Sequence, residues 1–409
     1  MSAQVLSVRL AIAFLISIAG LTGVASAQRM AFDSHSDGSD GALDFAGNPN
    51  TTIDFNPFAF DPPLDPDGDQ VFHFTTINIP QGKTVRLRWG SMPNGPVYWL
   101  ATGAVTIGGT IDLNGENGVT TSTGVFVAAQ PGPGGFPGGF SGNSPTLTGF
   151  GPGAGGRNGS SGVGGGYGTA GAGSTGANGG GVYGNQFLLP LIGGSGGGTT
   201  SGGHGGGAGG GAILVASNSL VQVTGSISAR GGAGGSGAGG GGSGGAVRII
   251  APTLSISGSI EVRGGSGAFG AAGSGRIRLE AASLDTPGSL LGVVSKVRLT
   301  PHTNFLAADE PRLVRVTAIA GEPVPANPAG NVFSPDVTID QAGPVSIDLS
   351  ARQIPIGTML TLYVWSDTDG MQVIPSTPLA GTFEDSSATA TATFSAGVSQ
   401  IFVRAVWTP

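Results

Sequence analysis

Leu254-Ser255-Ile256-Ser257-Gly258-Ser259-Ile260-Glu261-Val262 decides the fold. Apolar residues alternate with polar ones on either side of a central glycine. Strict alternation is the period of a half-buried strand. The same pattern occurs earlier as Val105-x-Ile107-x-Gly109-x-Ile111-x-Leu113 and as Val221-x-Val223-x-Gly225-x-Ile227-x-Ala229. The second and third copies lie 33 residues apart. Another alternating run precedes each copy: Val97 to Ala101, Ala212 to Ala216, and Val247 to Ala251. A degenerate fourth copy follows at Ile277 to Ala281 with Leu284-x-Thr286-x-Gly288-x-Leu290. One repeat therefore reads strand, turn, strand, glycine, strand. Such a unit cannot bury its apolar face alone and must stack on its neighbours.

The expectation is an all-β chain: a parallel β-helix of about four to five coils with Gly-rich insertions, followed by an immunoglobulin-like β-sandwich. The glycine at the centre of each copy has the inward phase. A crowded corner, or one needing a positive φ, selects glycine there. Alternation alone also allows an antiparallel meander.

The glycine tracts enter at one point of the repeat, just after its last strand, over 115–208, 231–245 and 264–275. Two readings stand open beside that of a separate functional element. The tracts are a flexible, low-complexity surface loop, or extended segments packed backbone to backbone against the stack, with Phe136, Phe140 and Tyr167 as anchors. The first tract also contains an apolar island, Phe187-Leu188-Leu189-Pro190-Leu191-Ile192.

Around this repeat the chain divides as follows. Residues 1–27 have the form of a cleavable signal peptide: Arg9, an apolar run from Leu10 to Val24, and Ala25-Ser26-Ala27. Export is expected, to a secreted or cell-surface location, with cleavage after Ala27. Residues 28–70 read as an N-terminal cap, since Pro57 interrupts the run from Ile53 to Phe60. The stack covers 71–299 and a linker 300–311. Residues 312–409 alternate in short segments such as Leu360-Thr361-Leu362-Tyr363-Val364-Trp365, which predicts the β-sandwich.

Composition removes several classes of function. Charged residues are 10% of the chain, the formal net charge is −7, and the only lysines are Lys83 and Lys296. No basic run exists to grip nucleic acid. The absence of cysteine excludes disulfides, thiol nucleophiles and cysteine-held metals. The 80 glycines follow no G-X-Y period, which excludes collagen.

Few residues suggest chemistry. Asp65, Asp67 and Asp69 alternate around a Pro-Asp-Gly turn, and oxygen ligands at every second position can wrap calcium. The same residues also make an ordinary acidic turn. Arg230 and Arg263 occupy equivalent positions in successive repeats, as do Arg248 and Arg278. Stacked arginine ladders can hold an anionic polysaccharide, or lie solvated beside Glu261 and Glu280. The hydroxyl row Ser387-x-Thr389-x-Thr391-x-Thr393 reads as the solvent face of a strand.

Gly203-His204-Gly205 resembles a motif of polygalacturonases, which are β-helical hydrolases. That resemblance implies paired catalytic aspartates and a basic motif. Arg276-Ile277-Arg278 is the nearest basic match and no Asp-Asp pair occurs, so no catalytic residue is assigned. The run Gly244-Gly245-Ala246-Val247-Arg248-Ile249-Ile250-Ala251-Pro252-Thr253-Leu254, closing in Gly258-Ser259-Ile260-Glu261-Val262-Arg263-Gly264-Gly265, resembles exported bacterial glycine-rich repeat proteins. More loosely it is similar to the β-helical stalks of filamentous adhesins. The resemblance covers roughly residues 70–281. It implies an envelope or secreted location and carries over no functional residue. The expected function is a non-enzymatic secreted or cell-surface structural or adhesion protein, with extracellular polysaccharide or cell-envelope components as partners. The alternative is a carbohydrate-binding or carbohydrate-active protein, lyase or hydrolase. No cofactor is expected, calcium apart, and no integral membrane segment in the mature chain.

Overall fold

The computed structural model describes residues 32–64, 69–88, 90–92, 95–142, 148–173, 179–299, 313–325, 328, 335–366 and 370–407. The expected signal peptide (1–27) and linker (300–311) lie outside these residues. The described chain is all-β, and no helix in it is long and apolar enough to cross a membrane.

Alternation becomes three parallel stacks of strands. The first contains 71–74, Val97–Ala101, Ala212–Ser217, 246–251, 276–281 and Val293–Arg298. The second contains Gly41–Asp44, 77–79, Val105–Ile107, Leu220–Val223, 253–256 and 283–285. The third runs Thr52–Asp54, Thr84–Arg86, Thr110–Asp112, Ser226–Ser228, Ser259–Glu261 and Ser289–Leu291. Register is kept from repeat to repeat: Ile107 pairs with Val223 and Val223 with Ile256, while Ile111, Ile227, Ile260 and Leu290 follow one another. The antiparallel meander is thereby excluded for this part of the chain.

Apolar side chains of one phase meet in a single core. Trp99, Val105, Ile111, Val215, Val223, Ile227, Ile249, Ile256 and Ile260 are all fully buried in it. Each such side chain contributes about 1.5–3 kcal/mol on burial. The aromatic residues gather at the N-terminal end, where Phe55 meets Phe72 and Trp99 edge-on at 5.4 and 5.5 Å.

Two expectations change here. The segment 28–70 does more than cap the stack, because Gly41–Asp44 and Thr52–Asp54 are strands paired in register with the next pass. Pro57 interrupts the alternation only after the second of them, and Thr52–Asp54 is an edge strand, where such an interruption is tolerated. Of the two reasons expected for the central glycines, crowding holds and a positive φ does not. None of Gly109, Gly225, Gly258 and Gly288 has a left-handed φ. A methyl on Gly225 would strike the carbonyl oxygen of Gly109, one on Gly258 that of Gly225, and one on Gly288 that of Gly258. The crowding lies along the stack, between successive passes. The Ile107 carbonyl accepts from both Thr224 and Gly225, and the Val223 carbonyl from both Ser257 and Gly258, each at 3.0 Å. That double acceptance draws the corners together and leaves no room for a side chain.

The glycine tracts are ordered by their own backbone. The amides of Gly205, Ala208 and Gly211 donate to the carbonyls of Val119, Glu116 and Leu113. Those of Gly206, Gly209 and Ala212 donate to Gly139, Phe136 and Pro133, and those of Gly207 and Gly210 to Gly240 and Ser243. All eight bonds are 2.7–3.0 Å long. Every third residue thus addresses the same neighbour, and three neighbours surround one segment. This is the threefold symmetry of a polyproline II helix, which makes no internal hydrogen bonds and offers all its amides outward. Gly234, with φ −68° and ψ 147°, has that conformation. Close approach requires glycine: a methyl on Gly209 would fall on the Gly194 carbonyl, and one on Gly240 on that of Val163. Of the two readings of the tracts, ordered packing describes the structure, although the segments pack chiefly on one another.

The C-terminal segments form two antiparallel sheets. One contains Leu313–Ile319, Gly343–Arg352 and Ser386–Phe394, with short strands at its edges; the other contains Gly370–Pro378, Met359–Ser366 and Ser399–Ala405. Ile347, Leu349, Leu362, Val364 and Ala390 from the two sheets share one core. Phe150 of the first tract stacks on Phe402 at 4.9 Å and meets Tyr363 edge-on at 5.6 Å, while Phe140 meets Phe402 at 6.0 Å. Phe140 is therefore an anchor towards this unit. Tyr167 anchors the tract on the first stack, beside Leu214 and Ile250.

Candidate functional site

The outward side chains of the first stack make the most charged enclosed surface. In 246–251 and 276–281 both phases are buried, apart from the partly exposed Arg276. The inner phase faces the stack's core, and the outer one faces the apolar island, whose Leu188 and Leu191 pack beside Leu100, Leu214 and Ile250. Arg248 and Arg278 are register partners on this outer face. They are 1% and 7% exposed, and Glu280 is 2% exposed. Glu280 Oε1 accepts from Arg248 Nε at 2.8 Å and lies 2.7 Å from Arg248 Nη2. Arg278 approaches the same carboxylate through Nε at 2.8 Å and Nη2 at 3.1 Å. Its Nη1 donates to the Gln186 carbonyl, and the guanidinium lies 5.3 Å from the Phe187 ring. The expected solvated ladder is thus corrected: the island covers this pair and no polysaccharide chain can reach it. Arg230 and Arg263 do stand half-exposed, 3.5 and 3.7 Å from Glu261.

Burial also sets the tyrosines beside this surface. The Tyr98 hydroxyl is pushed up to about 12, first by desolvation, with Arg248 opposing and Asp69 adding to it. Tyr167 and Tyr183 are raised further, again chiefly by burial. Their rings lie 4.6 Å apart, with Arg276 5.7 Å from the Tyr167 ring.

A second cluster lies where the turns of the glycine tracts meet. His204 Nδ1 shares a hydrogen bond with Thr120 Oγ1 at 2.9 Å, and Thr120 Oγ1 another with Ser236 Oγ at 2.8 Å. Ser236 has φ 45°, the left-handed region that costs a non-glycine residue energy. Exposed Val119, Val125, Val127 and Phe269 lie on the same tract turns. Such a surface can make apolar and hydroxyl contacts with a partner.

The remaining candidates are local. Asp65 and Asp67 lie outside the described residues. Asp69 Oδ1 accepts from the Val71 amide at 2.8 Å, as an Asp does in a turn before a strand. Among the described residues no three His, Asp or Glu side chains gather to hold a metal. Thr389, Thr391 and Thr393 are exposed on Ser386–Phe394, facing Asp348, Ser346 and Pro344 of the neighbouring strand. An open groove of about 490 Å³ runs over this face, lined in part by Thr317, Asp348, Ser350, Ser387 and Thr389.

No protein-family model matches the chain, and neither a curated protein nor a solved structure does.

Sequence reasoning paired Arg248 with Arg278 but missed their enclosure. The signal was the apolar island: six residues with four aliphatic side chains and a phenylalanine, inside a tract otherwise of glycine, need a surface to cover. Thr120 and Ser236 carried no such signal, since 84 and 32 residues separate them from His204.

Proposed function

We propose that the protein is an exported structural and adhesion protein of the cell surface, built on a parallel β-helix with an immunoglobulin-like sandwich at its C-terminal end. One observation carries this reading. Between residues 113 and 275 the backbone hydrogen bonds join each glycine segment to several others and to the stack, making one cross-braced block. Such a block resists local opening, because breaking one segment costs bonds to three neighbours. The in-register corners favour the helix, and the core shared by two antiparallel sheets favours the sandwich. The charges of the stack lie under the apolar island or face one another, as in Arg86–Asp54 and Arg88–Asp112, both at 2.7 Å. The surface left for a partner is the mixed apolar and hydroxyl patch at the tract turns.

The test uses the chain from Gln28 onward, incubated with isolated cell envelopes and with a glycan array, with and without calcium. Saturable envelope binding is expected, weakened at least several-fold by Val125→Asp with Val127→Asp. Turnover of an acidic glycan would overturn the structural reading.

A further inference from the structure

The enclosed charges beneath the apolar island do not balance. Arg248, Arg278 and Glu280 are all more than nine-tenths buried, and they sum to one positive charge. Glu280 Oε1 already faces Arg248 Nε, Arg248 Nη2 and Arg278 Nε, while Oε2 accepts from Arg278 Nη2. Arg278 is fully used, since its remaining nitrogen donates to Gln186. Arg248 is not. Its Nη1 is enclosed without a partner among the described residues. Because Nε and Nη2 form the edge turned to Glu280, Nη1 is the corner turned away from it. On the side of the sheet away from Glu280, the register partner of Arg248 is Leu214, and that of Leu214 is Tyr98. The other titratable groups about this face are Arg276, the phenols Tyr98, Tyr167 and Tyr183, and Asp69, which acts on Tyr98. Arg276 adds a second enclosed donor without a partner, its Nε, while its Nη2 donates to the Tyr183 carbonyl at 3.1 Å.

We infer that Arg248 Nη1 binds a small inorganic monovalent anion of the halide class, held under residues 183–192 as part of the folded structure. A guanidinium keeps its proton, so an enclosed one that is not matched by negative charge destabilises the fold. One anion at Nη1 brings the Arg248, Arg278 and Glu280 group to neutrality. The offered donor is a single corner beside an aliphatic side chain, which suits a monatomic ion better than a phosphate or a carboxylated sugar. The island bars a polymer.

The probe is sodium bromide. Thermal unfolding of the full mature chain is followed at constant ionic strength as bromide replaces gluconate. The midpoint should rise with the logarithm of bromide concentration, by several degrees over two decades. Arg248→Met leaves one arginine against one glutamate, so this variant should fold and lose the bromide dependence. Crystals grown in bromide should show an anomalous peak at hydrogen-bond distance from Arg248 Nη1, a readout that needs no variant. Equal bromide dependence in wild type and R248M would overturn the inference, and so would a water or an empty corner at Nη1 in the bromide crystals.

Discussion

At the scale of single residues, the corner glycines make the sharpest distinction. Gly258 sits against the carbonyl of Gly225, whereas Ser257 beside it is exposed. Gly258→Val should destabilise the chain by about 3 kcal/mol or more, because backbone cannot yield as a side chain does. Ser257→Val should change stability by about 0.5 kcal/mol at most. Urea denaturation of the two variants measures the difference, and equal tolerance would mean that the corners are not stacked. Glu280 gives a second case. Glu280→Gln leaves two enclosed guanidinium groups without their carboxylate and should cost about 3–5 kcal/mol. The exposed pair Asp54–Arg86 contrasts with it. The Asp54 carboxyl is held below its ordinary value first by its hydrogen bond from Arg86. Its contribution is therefore present above the unfolded value near 3.9 and lost as the pH falls through the lower folded one. Asp54→Asn should cost no more than about 1 kcal/mol at neutral pH, given the exposure of both side chains.

At the scale of elements, the glycine tracts behave as helices without internal bonds. Their stability rests on neighbours at a spacing of three, so substitutions should sort by what stands opposite the Cα. Gly209→Ala would strike the Gly194 carbonyl and should lower the unfolding midpoint by many degrees. Gly156, with open space at the same position, should accept alanine with a small gain of about 0.4–1 kcal/mol from the stiffer unfolded chain. The strands were legible in the sequence because a period of two reports directly which face is buried. The repeated copies suggested stacking, but an antiparallel meander stayed open until the parallel register was seen. The first pass, Gly41 to Asp54, was hidden because its strands are short and Pro57 follows. The order of the tracts was only half legible. A threefold helix of glycine buries backbone and has no apolar face, so no hydrophobic period marks it. The island around Leu188 and Leu191 stood out, but the face it covers could be found only once Arg248 and Glu280 were seen beneath it.

At the scale of the whole molecule, parallel strand stacks, a bundle of glycine segments and two antiparallel sheets share one chain, and specific ring contacts join the last two. The C-terminal pair of antiparallel sheets meets the glycine bundle through Phe402 and Tyr363 on one side and Phe140 and Phe150 on the other. Phe150→Ala removes two of these ring contacts. Calorimetry should then show the C-terminal sheets melting apart from the remainder, where the wild type melts with the two coupled. Enclosed tyrosines give the molecule an alkaline limit. Tyr98 ionises only near about 12, and Tyr167 and Tyr183 are raised by burial as well. A raised folded value means that stability is intact below the unfolded value near 10 and is lost as the pH rises through the folded one. Ultraviolet titration should show these phenols ionising late and together with unfolding.

The most direct measurement is amide hydrogen exchange across residues 204–211 in the intact chain. If the amides of 205–211 are bonded in turn to 113–119, 133–139 and 240–243, their exchange should be as slow as that of the buried strand 246–251. Exchange at the rate of an unstructured peptide would contradict the ordered bundle and return the tracts to flexible loops.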